Sequence, residues 1–125
     1  MANTLRVTAN VQYVRDGETV PLQLLNISNA SHSITSNLLA GGIQNIGTSA
    51  ENLDVGAVSS EGWSVFRNLD ATNYVEIGWD ATGFQSAIVL YPGEGYPVRL
   101  NPSRTWQARA NTAAVDLYFQ VCGTP

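Results

Sequence analysis

The chain has 125 residues, a formal net charge of −4 and only 13% charged residues. That length holds one self-supporting core and leaves no room for a second full domain. Its six cations are all arginines and acids outnumber them, which argues against a phosphate-tracking surface and so against nucleic acid as a partner. Cys122 is the only cysteine, so neither an intrachain disulfide nor a cysteine zinc cluster can form. The first ten residues, MANTLRVTAN, lack the apolar run of a signal peptide, and no stretch is long enough for a membrane helix. The expectation is a soluble protein made in a cytoplasm, with no membrane partner, and two sequons at Asn26 and Asn29 that serve as turn chemistry.

In chain order, Leu5, Val7, Ala9, Val11 and Tyr13 alternate with polar residues, the period of a strand buried on one face. Asp16-Gly17 then signals a turn, and Val20, Leu22 and Leu24 resume the alternation, so residues 5–27 read as a hairpin. Pro21 places the start of its second strand at a sheet edge or bulge. The polar stretch 26–36 reads as a loop or short exposed strand. Ile43 and Ile46 suggest another short strand, with a helical turn over Leu38–Ala40 as the alternative, and 47–62 reads as a long loop with at most a brief strand.

From Trp63 onward the signal sharpens. Trp63 to Leu69 is a strand, NLDATN a turn and Tyr74 to Trp79 the next strand. Phe84 to Tyr91 is nearly continuously apolar, which predicts burial on both faces. Turns at Pro92–Gly95 and Asn101–Ser103 flank a short strand around Val98 and Leu100. Trp106–Ala110 and Val115–Val121 then alternate cleanly. Strands at this spacing without an amphipathic helix predict an all-β fold, a jelly-roll-like β-sandwich of about eight strands built as one domain over 1–125, with 1–15 as a candidate arm toward a neighbouring subunit.

Candidates for chemistry are few. His32, the only histidine, sits between serines in the polar stretch, and no Gly-x-Ser-x-Gly elbow accompanies it, so it reads as a solvated residue. Glu76 and Asp80 share a strand face, but four extended residues hold them about 13 Å apart, beyond the roughly 5–9.5 Å of paired glycosidase carboxylates. Glu61, Asp70 and Glu94 sit near turns. Asp70 with Asn68 and Asn73 offers oxygens, yet at too low a density for a dedicated calcium site. No catalytic, metal or cofactor site is assigned, and the chain is read as a non-enzyme.

Surface contact is the remaining theme. Arginines within strands are forked donors suited to carboxylates across an interface, although arginine standing in for lysine through base composition explains them equally well. Arg6, Tyr13, Arg99, Tyr96 and Arg109 are the candidate interface residues. Tyr96, next to a proline after a glycine-rich turn, and Trp79 are the aromatics best placed to stack on a sugar or a partner.

Residues 63–122 carry a resemblance. Asn68-Leu69-Asp70 before Tyr74-Val75-Glu76-Ile77-Gly78, the turn Pro92-Gly93-Glu94 between apolar strands, and the alanine-rich run Ala108 to Ala114 ahead of the last strand resemble a family of small virion proteins encoded among the structural genes of tailed bacteriophages. The resemblance spans about half of the chain, and residues 1–62 lie outside it. It implies a jelly-roll-like sandwich on a capsid surface as a decoration or cement protein, or else in the tail or a head fibre. The implied partners are the major capsid protein and copies of the chain itself, as a homotrimer. The strand Leu5–Tyr13 and the segment 26–62 are the candidates for those contacts. A carbohydrate-binding module for host attachment is the alternative.

Overall fold

The computed structural model describes residues 3–34 and 36–123, and it divides into two compact units, one ending at Thr35 and the other beginning at Ser36. Every regular element among the described residues is a strand, which makes the chain all-β.

The first unit is an antiparallel pair, β1 (Asn3–Tyr13) and β2 (Leu22–Ile34). Of the two readings of the polar stretch, loop or short exposed strand, the strand holds through Ile34, and His32 lies within β2, not in a loop. The reason is in the register. Directly opposed residues of an antiparallel pair share a face, and Thr4, Arg6, Asn10 and Gln12 face Ser33, Ser31, Asn26 and Gln23. The serines and asparagines that dilute the strand signal are the outward half of an amphipathic strand. Gln23 ties that face together, donating to Asn10 Oδ1 at 2.6 Å and accepting from Gln12 Nε2 at 3.2 Å.

The second unit holds β3 (Leu39–Ile46), β4 (Glu51–Asn52), β5 (Glu61–Asn68), β6 (Val75–Asp80), β7 (Phe84–Leu90), β8 (Gly95–Arg99), β9 (Thr105–Ala110) and β10 (Val115–Gly123). Two four-stranded antiparallel sheets result, ordered β3-β10-β5-β8 and β4-β9-β6-β7. The pairing is nested: β3 lies beside β10, β4 beside β9, β5 beside β8 and β6 beside β7, as in a long hairpin folded over on itself. Two further pairings, β10 with β5 and β9 with β6, complete the sheets. About eight strands were expected across residues 1–125; the described residues hold ten, two in the hairpin and eight between Leu39 and Gly123.

The two sheets share one core. Ile46, Phe66, Leu117, Phe119 and Val121 from one pack with Val75, Ile77, Leu90, Trp106 and Ala108 from the other, making a β-sandwich. Alternation places them there: in β10, Val115, Leu117, Phe119 and Val121 are buried while the residues between them face away. Continuous burial of Phe84 to Tyr91 is not observed. β7 is an edge strand with one face outward, so Gln85, Ser86, Ala87 and Val89 are exposed and Leu90 alone of its residues is fully buried. The segment 38–46 is strand from Leu39, with no helical turn, and 47–62 contains only the two-residue β4 before β5 begins.

Candidate functional site

The candidate contact residues occupy separate places. Within the hairpin, Arg6 lies on the polar face opposite Ser31, whereas Tyr13 lies on the other face opposite Leu22. On the edge strand β8, Arg99 and Tyr96 stand three residues apart and so on opposite sides. The Arg99 guanidinium lies 5.2 Å from the centre of the Trp63 ring. Tyr96, half exposed, donates from its hydroxyl to Glu94 Oε2 at 3.2 Å, and this bond to a carboxylate raises the phenol above its ordinary pKa. Arg109 belongs to the other sheet, where Nε and Nη2 both donate to Glu76 Oε1, at 3.3 and 3.0 Å, and the guanidinium lies over Phe84.

Three of the carboxylates weighed for chemistry, Glu76, Asp70 and Glu94, have structural bonds. Glu76 holds Arg109 across adjacent strands. Asp70 Oδ2 accepts from the backbone N–H groups of Thr72 and Asn73 at 2.9 and 2.6 Å and from the Thr72 hydroxyl, which closes the NLDATN turn. Those main-chain donors hold its carboxyl below the usual carboxylate range. Glu94 accepts from the Tyr91 N–H at 2.7 Å in the next turn. Among the described residues no group of three His, Cys, Asp or Glu side chains is placed to share a metal ion. Trp79 packs edge-on against Trp106 with ring centres 6.0 Å apart and Arg104 over its face, so it is half core and a poor platform for a ligand.

The stronger surface feature is one that residue-by-residue reading missed. On the outer side of the β3-β10-β5-β8 sheet, Leu39 and Cys122 stand opposite each other, as do Ile43 and Tyr118, with Arg67 beyond Tyr118 and Val65 beyond Gln120. Leu39, Ile43 and Val65 are 64%, 66% and 40% exposed. Pro97 continues the face beside Val65, and Arg99 lies beside Trp63 on the same outer side. Gly41, at φ +142°, lies so close to β10 that a Cβ would overlap the Phe119 carbonyl oxygen. Partial burial of Cys122 raises its thiol above the ordinary value. The signal was present in the off-phase positions of β10, Tyr118 and Cys122. The phase of β3 was hidden by Gly41-Gly42, which carry no side chains to read.

Comparison with known proteins finds no family model, no curated protein and no solved structure that matches this chain. Its functional reading therefore rests on its own residues and surfaces.

Proposed function

We propose that this chain is a structural virion protein of a tailed bacteriophage, decorating and stabilising the capsid through subunit contacts rather than turning over a substrate. In this reading it is made in the host cytoplasm, docks on the major capsid protein and associates with copies of itself. The observation that carries the proposal is the exposed apolar outer face formed by Leu39, Ile43 and Val65, flanked by Arg67 and Arg99. Exposed apolar side chains set among polar ones, here with Gln120 between Gly41 and Val65, suit a docking surface, and arginines at its edge suit carboxylates on a larger partner. The nested strand pairing supports reading the sandwich as a jelly roll, an architecture suited to presenting broad sheet faces.

Deletion of the gene from its phage is expected to yield shells that lose resistance to heat and osmotic shock. Added wild-type protein restores the resistance and Ile43→Asp protein does not. Shells of ordinary stability without the protein, or label found on the tail, would defeat the capsid assignment.

A second reading has one observation in its favour. Tyr74 and Tyr91, with ring centres 5.6 Å apart, and half-exposed Tyr96 lie around the turn that holds Glu94, an aromatic and carboxylate grouping of the kind that receives a sugar ring. Glycan-array binding that disappears in Tyr91→Ala would favour host attachment.

A further inference from the structure

The hairpin β1-β2 carries an apolar face of its own. Opposite residues Leu5, Val7, Ala9, Val11 and Tyr13 stand His32, Ala30, Ile27, Leu25 and Leu22. Nine of those ten side chains are carbon-rich, although their β2 members do not alternate in the sequence. Two bulges bring them into line. Between Val7 and Ala9 strand β2 carries one extra residue, with Asn29 at φ +53° and its N–H donated to Thr8 Oγ1 at 3.1 Å; a second extra residue, Leu24, falls between the partners of Val11 and Gln12. Each bulge shifts the alternation of β2 by one and returns the next apolar residue to the same side. Val11, Tyr13, Leu22 and Leu25 are between 42% and 54% exposed.

A lone two-stranded ribbon is marginal in water and gains stability when its apolar side is covered. We infer that further copies of this chain cover it, the hairpins meeting apolar side to apolar side around a symmetry axis. This deepens the self-association part of the proposed function and is independent of docking on a capsid. Two quantities bear on a copy as the occupant. Ten residues of paired strand make a face about 33 Å long and 10 Å wide, about 330 Å² for each chain. Three such faces closed around one axis bury about 1,000 Å² in the whole ring, about 330 Å² for each pair of chains, a small contact that relies on ring closure. The segment is also electroneutral: Arg6 and Arg15 balance Asp16 and Glu18, while the chain's net −4 belongs to residues beyond Thr35. Arg6 is on the polar side and the other three lie at the turn, so no like charges oppose the approach of identical faces.

The test is the mass of the full-length protein in solution by sedimentation velocity at tens of micromolar, without capsids. The wild type is expected as a closed multiple of the chain mass, Val11→Lys/Leu25→Lys at the single-chain mass, and Gln12→Lys, on the polar face, at the wild-type mass. Trp63, Trp79 and Trp106 all lie in the sandwich, so unchanged tryptophan fluorescence certifies that unit's fold in every variant. A wild type of single-chain mass, a double variant that keeps the wild-type mass, or dissociation by Gln12→Lys would each overturn the inference. Failure of Ile43→Asp to affect shells would count against capsid docking alone.

Discussion

Asn68 donates from one amide nitrogen to the carbonyl oxygen of Leu90, 22 residues away, at 3.0 Å, and so joins the end of β5 to the end of β7 through the middle of the sandwich. The same nitrogen donates to the Asn73 carbonyl at 2.9 Å, and the side-chain oxygen accepts from the Asp70 N–H at 2.8 Å. Its main chain exchanges bonds with Gly93 and Glu94. A side chain at 0% exposure with both ends bonded is the pin for the turns at that end of the fold.

Replacing Asn68 by alanine strands two carbonyls and one N–H at or near the core. The expected loss is about 3 kcal/mol, read as a drop in the urea midpoint at unchanged slope. Asn68→Asp loses the donor and sets a carboxylate against the two carbonyl oxygens, so it is expected to be at least as damaging. An unchanged midpoint for either variant would show that the pin is dispensable.

Asp70 ties stability to pH in a defined direction. Its carboxyl is lowered in the folded protein by the backbone N–H groups of Asn73 and Thr72. Its contribution is therefore complete above the unfolded value, about 3.9, and disappears as pH falls through the lower folded value. Asp70→Ala is expected to be less stable than wild type at pH 7, with the difference closing near pH 2. Denaturant titrations at the two pH values check this, and a gap that persists in acid would assign the effect to packing.

Gly78 lies in β6 where a register shift brings β7 unusually close, and a Cβ there would overlap the Gln85 carbonyl oxygen. Gly78→Ala is expected to cost about 1–3 kcal/mol, because main chain must move to admit it. Gly47→Ala is the matched control: its Cβ would meet only Glu51 Oε2 at an ordinary 3.5 Å, so its thermal midpoint is expected to stay near that of the wild type.

The clearest elements in the sequence were those whose alternation coincides with one buried face, as in Val115 to Val121, and those bounded by strong turn residues, such as Pro92–Gly95. Phe84–Tyr91 misled because hydrophobicity reports burial only on average: Val89 is apolar and 41% exposed at the sheet edge. The stretch around His32 left loop and exposed strand both open, since serine and asparagine disfavour strands in isolation, yet serve well as the wet side of a ribbon whose partner strand supplies the ladder. Sheet order was not legible. The pairing of Val115 with Ile46 joins residues far apart in the chain, and no local pattern encodes that choice. Of the outer apolar face only Tyr118 and Cys122 show in the alternation of β10, and the rest was not legible because the face exists only once β3, β10 and β5 are neighbours.

The two additional residues in β2 act as spacers that reset its alternation. Removing Leu24 would leave Leu22, Gln23, Leu25 and Asn26 in plain alternation against their present partners Tyr13, Gln12, Val11 and Asn10, so the ribbon would keep its wet and oily flanks. A single-residue insertion or deletion in β1, away from the spacers, acts instead as a frameshift in side-chain direction.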